Sequence, residues 1–321
     1  MTKPLVKPPL IVIAGPTAVG KTECAIWIAQ KLNAEIISAD SMQVYRHMDI
    51  GTAKPSPEQQ QAVKHHLIDV VEPDNDFSVS DYKTLFDETV PAILARGKLP
   101  LVTGGTGLYI RACLRSFLEG NPVRPNLELR NSLQLIAAEK GSLYLHQQLA
   151  MADPDSALRI HPNDLRRIIR ALEVYYTLGE PISKLQVQQA GESPYQVIYI
   201  FLNRERAELY QRIETRVDEM LYQGLLKEVE TLLEKGYRSD LKPLQSLGYR
   251  QMIEYLQGKH SWETAIAAIK QETRNYAKRQ LTWFRKEPID LVVTLVGNNR
   301  QFFGEILQSL EGSLNQMSNS N

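Results

Sequence analysis

The stretch Leu10-Ile11-Val12-Ile13-Ala14-Gly15-Pro16-Thr17-Ala18-Val19-Gly20-Lys21-Thr22 decides the fold. Its first five residues are apolar and rich in β-branched side chains, which reads as a short buried strand. Its last eight fit G-x-x-x-x-G-K-[ST], and the following Thr22 to Leu32 carries Ala25, Ile28, Ala29 and Leu32 at helical spacing. A strand, a glycine-rich loop and a helix in that order form a phosphate cradle. The glycines let backbone N–H groups curl around an oxyanion, and the helix N-terminus adds its dipole. Lys21 supplies a point charge, and the Thr22 hydroxyl can hold Mg²⁺. Gly15, Pro16, Thr17, Ala18, Val19, Gly20, Lys21 and Thr22 are thus candidate phosphate-binding positions. The plainer alternative is a Gly-rich turn with an exposed lysine.

Working outward, Glu35 to Ser38 and Pro100 to Thr103 read as further buried strands, with Leu67 to Val71 a third candidate. Tyr82 to Ala95 has helical spacing and Gly97 follows as a stop signal. Strands alternating with helices imply a parallel sheet with crossover helices, an α/β P-loop core. Gly120, Pro122 and Pro125 mark a break. From Leu127 to about Ser193 the patterns are helical without a clear strand, an all-helical insertion. Val197 to Leu202 rejoins the sheet; helices follow over about Glu208 to Glu234, Leu247 to Gln257 and Trp262 to Lys286, and Leu291 to Val296 is a last strand. The expected organisation is a core over 10–120, an insertion over 121–195, a mostly helical second part of the core over 196–298, and a tail over 299–321. Ser309 to Asn321 is rich in Ser and Asn, so that tail is expected to fray.

The 321 residues include 37 Lys plus Arg and 37 Asp plus Glu, so bulk charge points to no class of partner, and any nucleic-acid contact has to come from local clusters. Cys24 and Cys113 stand alone, which argues against a disulfide framework or a zinc site. Leu10 to Ala14 runs into the phosphate loop and is no signal peptide. No stretch approaches the ~20 apolar residues that cross a bilayer. A cytoplasmic protein without a membrane partner is expected.

Chemistry beyond phosphate binding starts at Asp40. In parallel sheets ligands bind at the carboxyl ends of strands, and Asp40 closes one of them. A carboxylate there can take a proton from a nucleophile or support Mg²⁺. With Ser38 and Ser41 beside it, it can equally be a turn or N-cap aspartate. Thr106 follows another strand end within Gly104-Gly105-Thr106-Gly107, where backbone approaches something closely or simply turns. The loop itself does not specify a nucleoside triphosphate, and strands ending at Asp40 and Asp69 leave a small-molecule kinase open.

Several longer motifs carry a resemblance. Asp40-Ser-Met-Gln-Val-Tyr45-Arg-His-Met-Asp-Ile50-Gly-Thr-Ala-Lys-Pro55 is long and specific. With it stand Gly104-Gly-Thr-Gly-Leu-Tyr109, Arg159-Ile-His-Pro-Asn163-Asp, Arg170-Ala-Leu-Glu173, Gly248-Tyr249-Arg250 and Lys278-Arg279-Gln280-Leu-Thr-Trp283. Together, from about Leu10 to Leu295, these resemble the tRNA dimethylallyltransferases of bacterial type. The resemblance implies transfer of a dimethylallyl group from dimethylallyl diphosphate to the exocyclic amine of an adenosine beside the anticodon. It makes the loop a holder of an allylic diphosphate with Mg²⁺, Asp40 the base, Thr106 a hydrogen-bonding partner at the reacting atoms, and Arg216 a clamp on the diphosphate. Arg212, one turn before Arg216, is at least as well read as a solvated residue paired to Glu208 or Glu219. The related adenylate isopentenyltransferases share the loop and the aspartate; the basic insertion favours a polynucleotide.

The target base sits in a stacked loop and has to be flipped into the enzyme. Ser41, Met42 and Gln43 follow the base in sequence and line that route under the resemblance. Arg166, Arg167 and Arg170 share one helical turn, Arg130 opens the insertion, and Tyr249, Arg250 and Lys278 fall in the later motifs; each is a candidate tRNA contact. Without the resemblance, each basic cluster would read as a solvated helix face. Arg274 and Arg285 share a face with Lys278, whereas Trp283 and Phe284 read as core. A monomer is expected.

Overall fold

The computed structural model describes residues 7–114, 126–188, 192–297 and 300–319. It divides into two compact units, one formed by the chain to Leu114 with the chain from Pro194 onward, the other Arg115–Ser193. The expected break at Gly120, Pro122 and Pro125 falls outside the described residues.

The first unit opens with β1 (Pro9–Ala14), α1 (Lys21–Leu32), β2 (Ala34–Ser38), α2 (Pro57–Ala62), β3 (His65–His66), α3 (Val79–Ala95), β4 (Leu99–Gly104) and α4 (Gly107–Leu114). The second unit holds α5 (Leu127–Lys140), α6 (Ser142–Ala152), α7 (Pro154–Arg159), α8 (Leu165–Leu178) and α9 (Ile182–Gln188). The first unit then resumes with β5 (Gln196–Arg204), α10 (Arg206–Gln223), α11 (Leu225–Glu234), α12 (Tyr249–Leu256), α13 (Trp262–Phe284), β6 (Leu291–Leu295) and α14 (Arg300–Asn319). All strand pairs are parallel, in the order β3-β2-β4-β1-β5-β6. The fold is α/β, as the alternation of patterns implies.

Both faces of the sheet are covered, which explains why its strands read as continuous apolar runs. Leu10, Val12 and Ala14 point into a core shared with Tyr82, Phe86, Val90 and Ile93 of α3. The alternate residues Ile11 and Ile13 point the other way, onto Cys24, Ala25 and Ile28 of α1 and onto α14. The same alternation splits Ile36 from Ile37 and Leu101 from Val102. A one-residue slip would exchange these faces, so the register is strongly specified. Among the described residues no helix is long and apolar enough to cross a membrane.

Three expectations change. Leu67 to Val71 is not a strand; the pairing residues are His65 and His66, opposite Ile36 and Ile37. Leu67 and Asp69 have φ of 60° and 54°, which a strand cannot hold. The segment instead bonds to the loop after Asp40, with Asp69 N–H donating to Gln43 O and Val70 N–H to Val44 O. Asp69 therefore ends no strand: its carboxylate pairs with the buried Lys54 ammonium at 2.6 Å. The single helix expected over Glu208 to Glu234 is two, because Gly224 turns left-handed at φ 102° and caps α10. Over its described residues the tail is helical rather than frayed; α14 lays Phe303, Ile306 and Leu310 into the core beside α1, with Trp27 and Phe303 ring centroids 6.0 Å apart.

The second unit has its own apolar core of Leu133, Leu145, Leu149, Ile168 and Leu172. Two buried carboxylates organise it. Asp153 accepts from Ser156 N–H, Ser156 Oγ and Ser183 N–H, capping α7 and securing the start of α9. Glu173 accepts from Asn126 N–H, Arg130 and Arg170, tying the start of α5 to α8.

Glu35 plays a comparable part at the sheet edge. Only 2% exposed, it accepts from Arg96 and His66 at 2.6 Å, with Lys98 at 3.3 Å. Burial favours its neutral form, but these partners outweigh burial and hold the carboxyl at about 2. A depressed acid stabilises the fold fully above its ordinary value near 4.5, and the contribution is lost as pH falls toward 2. Arg96 and Lys98 are partly exposed and screened, so the effect at pH 7 is on the order of 2 kcal/mol. Urea unfolding of Glu35→Gln is expected to show that loss at pH 7 and a shallower decline than wild type between pH 5 and 3.

Candidate active site

The sheet order sets the site. β2, β4 and β1 are neighbours, so the loops that leave their carboxyl ends meet: Asp40 after β2, Gly105 and Thr106 after β4, and Gly15 to Thr22 after β1. Strands lie about 4.8 Å apart, so Asp40 and the phosphate loop stand about two spacings from each other. Close approach is required between them. A Cβ on Gly104 would lie 2.1 Å from Ala39 O, and one on Gly15 would lie 2.6 Å from Leu202 O of β5.

The phosphate loop is held by arginines. Ala18 takes φ 62°, a left-handed conformation costly for a residue with a Cβ. Arg212 Nε donates to Ala18 O at 2.9 Å and Arg204 Nε to Val19 O at 3.4 Å. Lys21 Nζ donates to Pro16 O at 2.8 Å, and Arg216 Nη1 reaches Thr17 Oγ1 at 3.5 Å. Arg212 is thus a loop-holding residue rather than a partner of Glu208 or Glu219. Among the described residues Lys21, Arg212 and Arg216 have no carboxylate at ion-pair distance. Burial first, and Arg216 second, lower the Lys21 ammonium to about 7, with Asp40 pulling the other way. Burial likewise lowers Arg216, opposed by Asp40 and Glu219. Cations that depress one another in a dry site are arranged for a polyanion.

Asp40 Oδ1 accepts from Met42 N–H at 2.9 Å, which turns the chain; its Oδ2 takes no hydrogen bond among the described residues. Thr106 Oγ1 accepts from Ser41 N–H at 3.0 Å, and Thr106 N–H donates to Ala39 O at 3.1 Å. Asp40, Ser41 and Met42 line a cavity of about 440 Å³ with Lys21, Thr22 and Arg216, and Thr106 meets it through its bond to Ser41. Its apolar lining comes from Ile213, Val217, Met220 and Ile269. Tyr276 also lines it, its phenol raised by burial first and by Asp40 second.

The remaining predicted positions divide. Ser41, Met42, Gln43 and Arg250 line the cavity. The Gln43 amide is occupied, accepting from Ser38 Oγ and donating to Thr52 O and Ala53 O. Arg250 grips Glu272 through both carboxylate oxygens, at 2.6 and 2.7 Å. The expected RNA contact at Tyr249 does not hold here: the ring is fully buried beneath Gly51 and its hydroxyl donates to Glu228. Lys278 is exposed on α13 and lies outside this cavity. Arg166 and Arg167 are exposed on α8, while Arg130 and Arg170 are committed to Glu173. Sequence reasoning gave no role to Gln280. Gln280 lay within a quoted motif, but its partners Thr17 and Gly105 are far away in the chain.

The profile described as IPP transferase matches residues 43–287. A tRNA dimethylallyltransferase of Symbiobacterium thermophilum is 51% identical over 281 residues, covering 88% of this chain and 88% of that protein. Among solved structures, the full-length tRNA isopentenylpyrophosphate transferase of Bacillus halodurans superposes with a TM-score of 0.72 at 42% identity, covering 98% of this chain and 99% of that one. A eukaryotic dimethylallyltransferase described as acting on tRNA gives a TM-score of 0.77 at 30% identity, covering 89% of this chain and 74% of that one.

The Lys21 environment has a thermodynamic signature. A base lowered to about 7 is mostly neutral at pH 8, and a bound polyanion restores its charge. Titration calorimetry of inorganic diphosphate at pH 8, in buffers of different ionisation enthalpy, is expected to show roughly one more proton taken up by wild type than by Lys21→Met. The anion's own titration is common to both proteins. Equal uptake would mean that Lys21 is already charged in the free protein.

Proposed function

The chain belongs to the IPP transferase family, and from that premise we infer that it is a tRNA dimethylallyltransferase. We propose dimethylallyl diphosphate as donor and the exocyclic amine of an adenosine beside the anticodon as acceptor, with diphosphate released. The observation that carries this reading is the pairing of an unneutralised cationic loop with a carboxylate two strands away in one cavity. A kinase would use the same loop, but nothing else in the cavity favours it.

The residues divide the work. The loop N–H groups, Lys21 and Arg216 take the diphosphate and its growing charge as the allylic C–O bond breaks. The amine lone pair is delocalised into the purine ring and attacks poorly, so removal of its proton helps the C–N bond form. We assign that proton to Asp40 Oδ2. To the Thr106 hydroxyl, which accepts from Ser41 N–H, we assign a hydrogen bond at the reacting atoms. Ser41 and Met42 form the wall that a flipped base would meet. Arg166 and Arg167 offer exposed charge to RNA phosphates.

Mg²⁺ fits the donor set. Thr22 lines the cavity next to Lys21, and no cluster of three acidic, His or Cys side chains occurs among the described residues. A magnesium ion would be held by the Thr22 hydroxyl with diphosphate oxygens and water, the usual manner of Mg²⁺ at phosphates. When bound, it neutralises charge on the leaving group. We place the reaction in the cytoplasm and assign it to a monomer.

The test is transfer of labelled dimethylallyl group from its diphosphate to unmodified tRNA, with AMP and ATP as parallel acceptors. Label on tRNA alone is expected, lost with EDTA and restored by Mg²⁺; label on the free nucleotides would point to an adenylate enzyme. Asp40→Asn is expected to lower turnover roughly 10²- to 10⁴-fold while tRNA binding is kept. Unchanged turnover would remove Asp40 as the base.

A further inference from the structure

Gln280 is a polar side chain on the buried face of α13, 5% exposed. Its Oε1 accepts from Thr17 N–H at 2.8 Å and its Nε2 donates to Gly105 O at 3.0 Å. One planar amide therefore joins the loop after β1 to the loop after β4. Each partner belongs to a peptide unit with a second bond. The carbonyl of the Pro16–Thr17 peptide accepts from Lys21 Nζ. The N–H of the Gly105–Thr106 peptide donates to Ala39 O, one residue before Asp40. The result is a continuous chain from the Lys21 ammonium, through two peptide groups and the Gln280 amide, to the backbone beside Asp40. Bonds in such a chain polarise one another, and its rigid planes fix distance and orientation.

We propose that Gln280 is a positioning residue for group transfer, setting the separation between the diphosphate cradle and the Asp40–Thr106 edge. The fit is close on its partner's side as well: a Cβ on Gly105 would lie 2.2 Å from Gln280 Nε2. Tyr276, one turn earlier on α13, lines the same cavity as Gln280. Gln280 touches neither substrate in this account. It rests on the proposed reaction, because the distance it sets matters only when donor and acceptor meet between the two loops.

The experiment compares wild type, Gln280→Leu and Gln280→Glu in labelled transfer to unmodified tRNA, with diphosphate and tRNA affinities measured beside turnover. A displacement near 1 Å costs roughly 100-fold in rate. Gln280→Leu is expected to lose about that much kcat while both affinities stay within about threefold. Gln280→Glu adds a readout that bulk stability does not give. As a neutral acid its carbonyl accepts from Thr17 and its hydroxyl donates to Gly105; ionised, it has no donor and faces a carbonyl. The ratio of its turnover to that of wild type is expected to be highest near pH 6 and to fall roughly tenfold or more by pH 8. A folded Gln280→Leu with kcat within threefold of wild type would overturn the proposal. If Gln280→Leu does not fold, a Gln280→Glu ratio that is flat with pH would overturn it. Absence of transfer by wild type would instead refute the proposed reaction. In that event the positioning claim is judged by a crystal structure of Gln280→Leu, in which the Thr17 and Gly105 loops should move apart, and an unchanged separation would overturn it.

Discussion

The carboxyl ends of β2, β4 and β1 lie side by side, and the chemistry of the cavity depends on that order. The chain runs from β1 through α1 to β2, leaving a vacant place between the two strands that β4 later fills. Three loops from distant parts of the sequence therefore open at one edge. Backbone contact between them is close enough that Gly104 could not carry a side chain without striking Ala39. A phosphate cradle and a carboxylate can be held two strand spacings apart only if the strand between them ends in very small residues.

Electrostatics then gives the two ends of the cavity different work. Lys21 and Arg216 crowd one end at a cost in lost hydration and mutual repulsion, expressed in the lowered Lys21 ammonium. That cost is set at folding, so little reorganisation is left for the moment when a leaving diphosphate gains charge. The arginines also act as covalent geometry cannot: Arg212 and Arg204 hold the carbonyls of a loop whose Ala18 sits in a left-handed turn. At the other end, Asp40 spends one oxygen on turning its own chain and keeps the other available.

What the sequence disclosed followed from how local the determining forces are. The β1 strand, the glycine loop and α1 are adjacent in the chain, and each obeys its own periodicity, so strand, cradle and helix were all legible. Asp40 was legible as a strand end, yet its residues alone allowed a mere turn. Leu67 to Val71 misled because its composition is strand-like, whereas a buried Lys54 draws Asp69 into a left-handed bend. The Ser- and Asn-rich composition of the tail masked Phe303, Ile306, Leu310, Leu314 and Met317, which fall at helical spacing on the inner face of α14. Gln280 shows the limit most clearly. Nothing local marks a glutamine on a helix as special until the fold delivers Thr17 N–H to one side of its amide and Gly105 O to the other.

The central claim is that donor and base meet across this cavity, with diphosphate on the loop and the allyl group directed toward Asp40. A crystal structure with the thiolodiphosphate analogue of dimethylallyl diphosphate and Mg²⁺ tests it most directly. The account predicts phosphoryl oxygens on the N–H groups of residues 15–22 with Lys21 and Arg216 closing on them, and the reactive carbon lying between that group and Asp40 Oδ2. A diphosphate bound elsewhere, or an allyl tail turned away from Asp40, would contradict it.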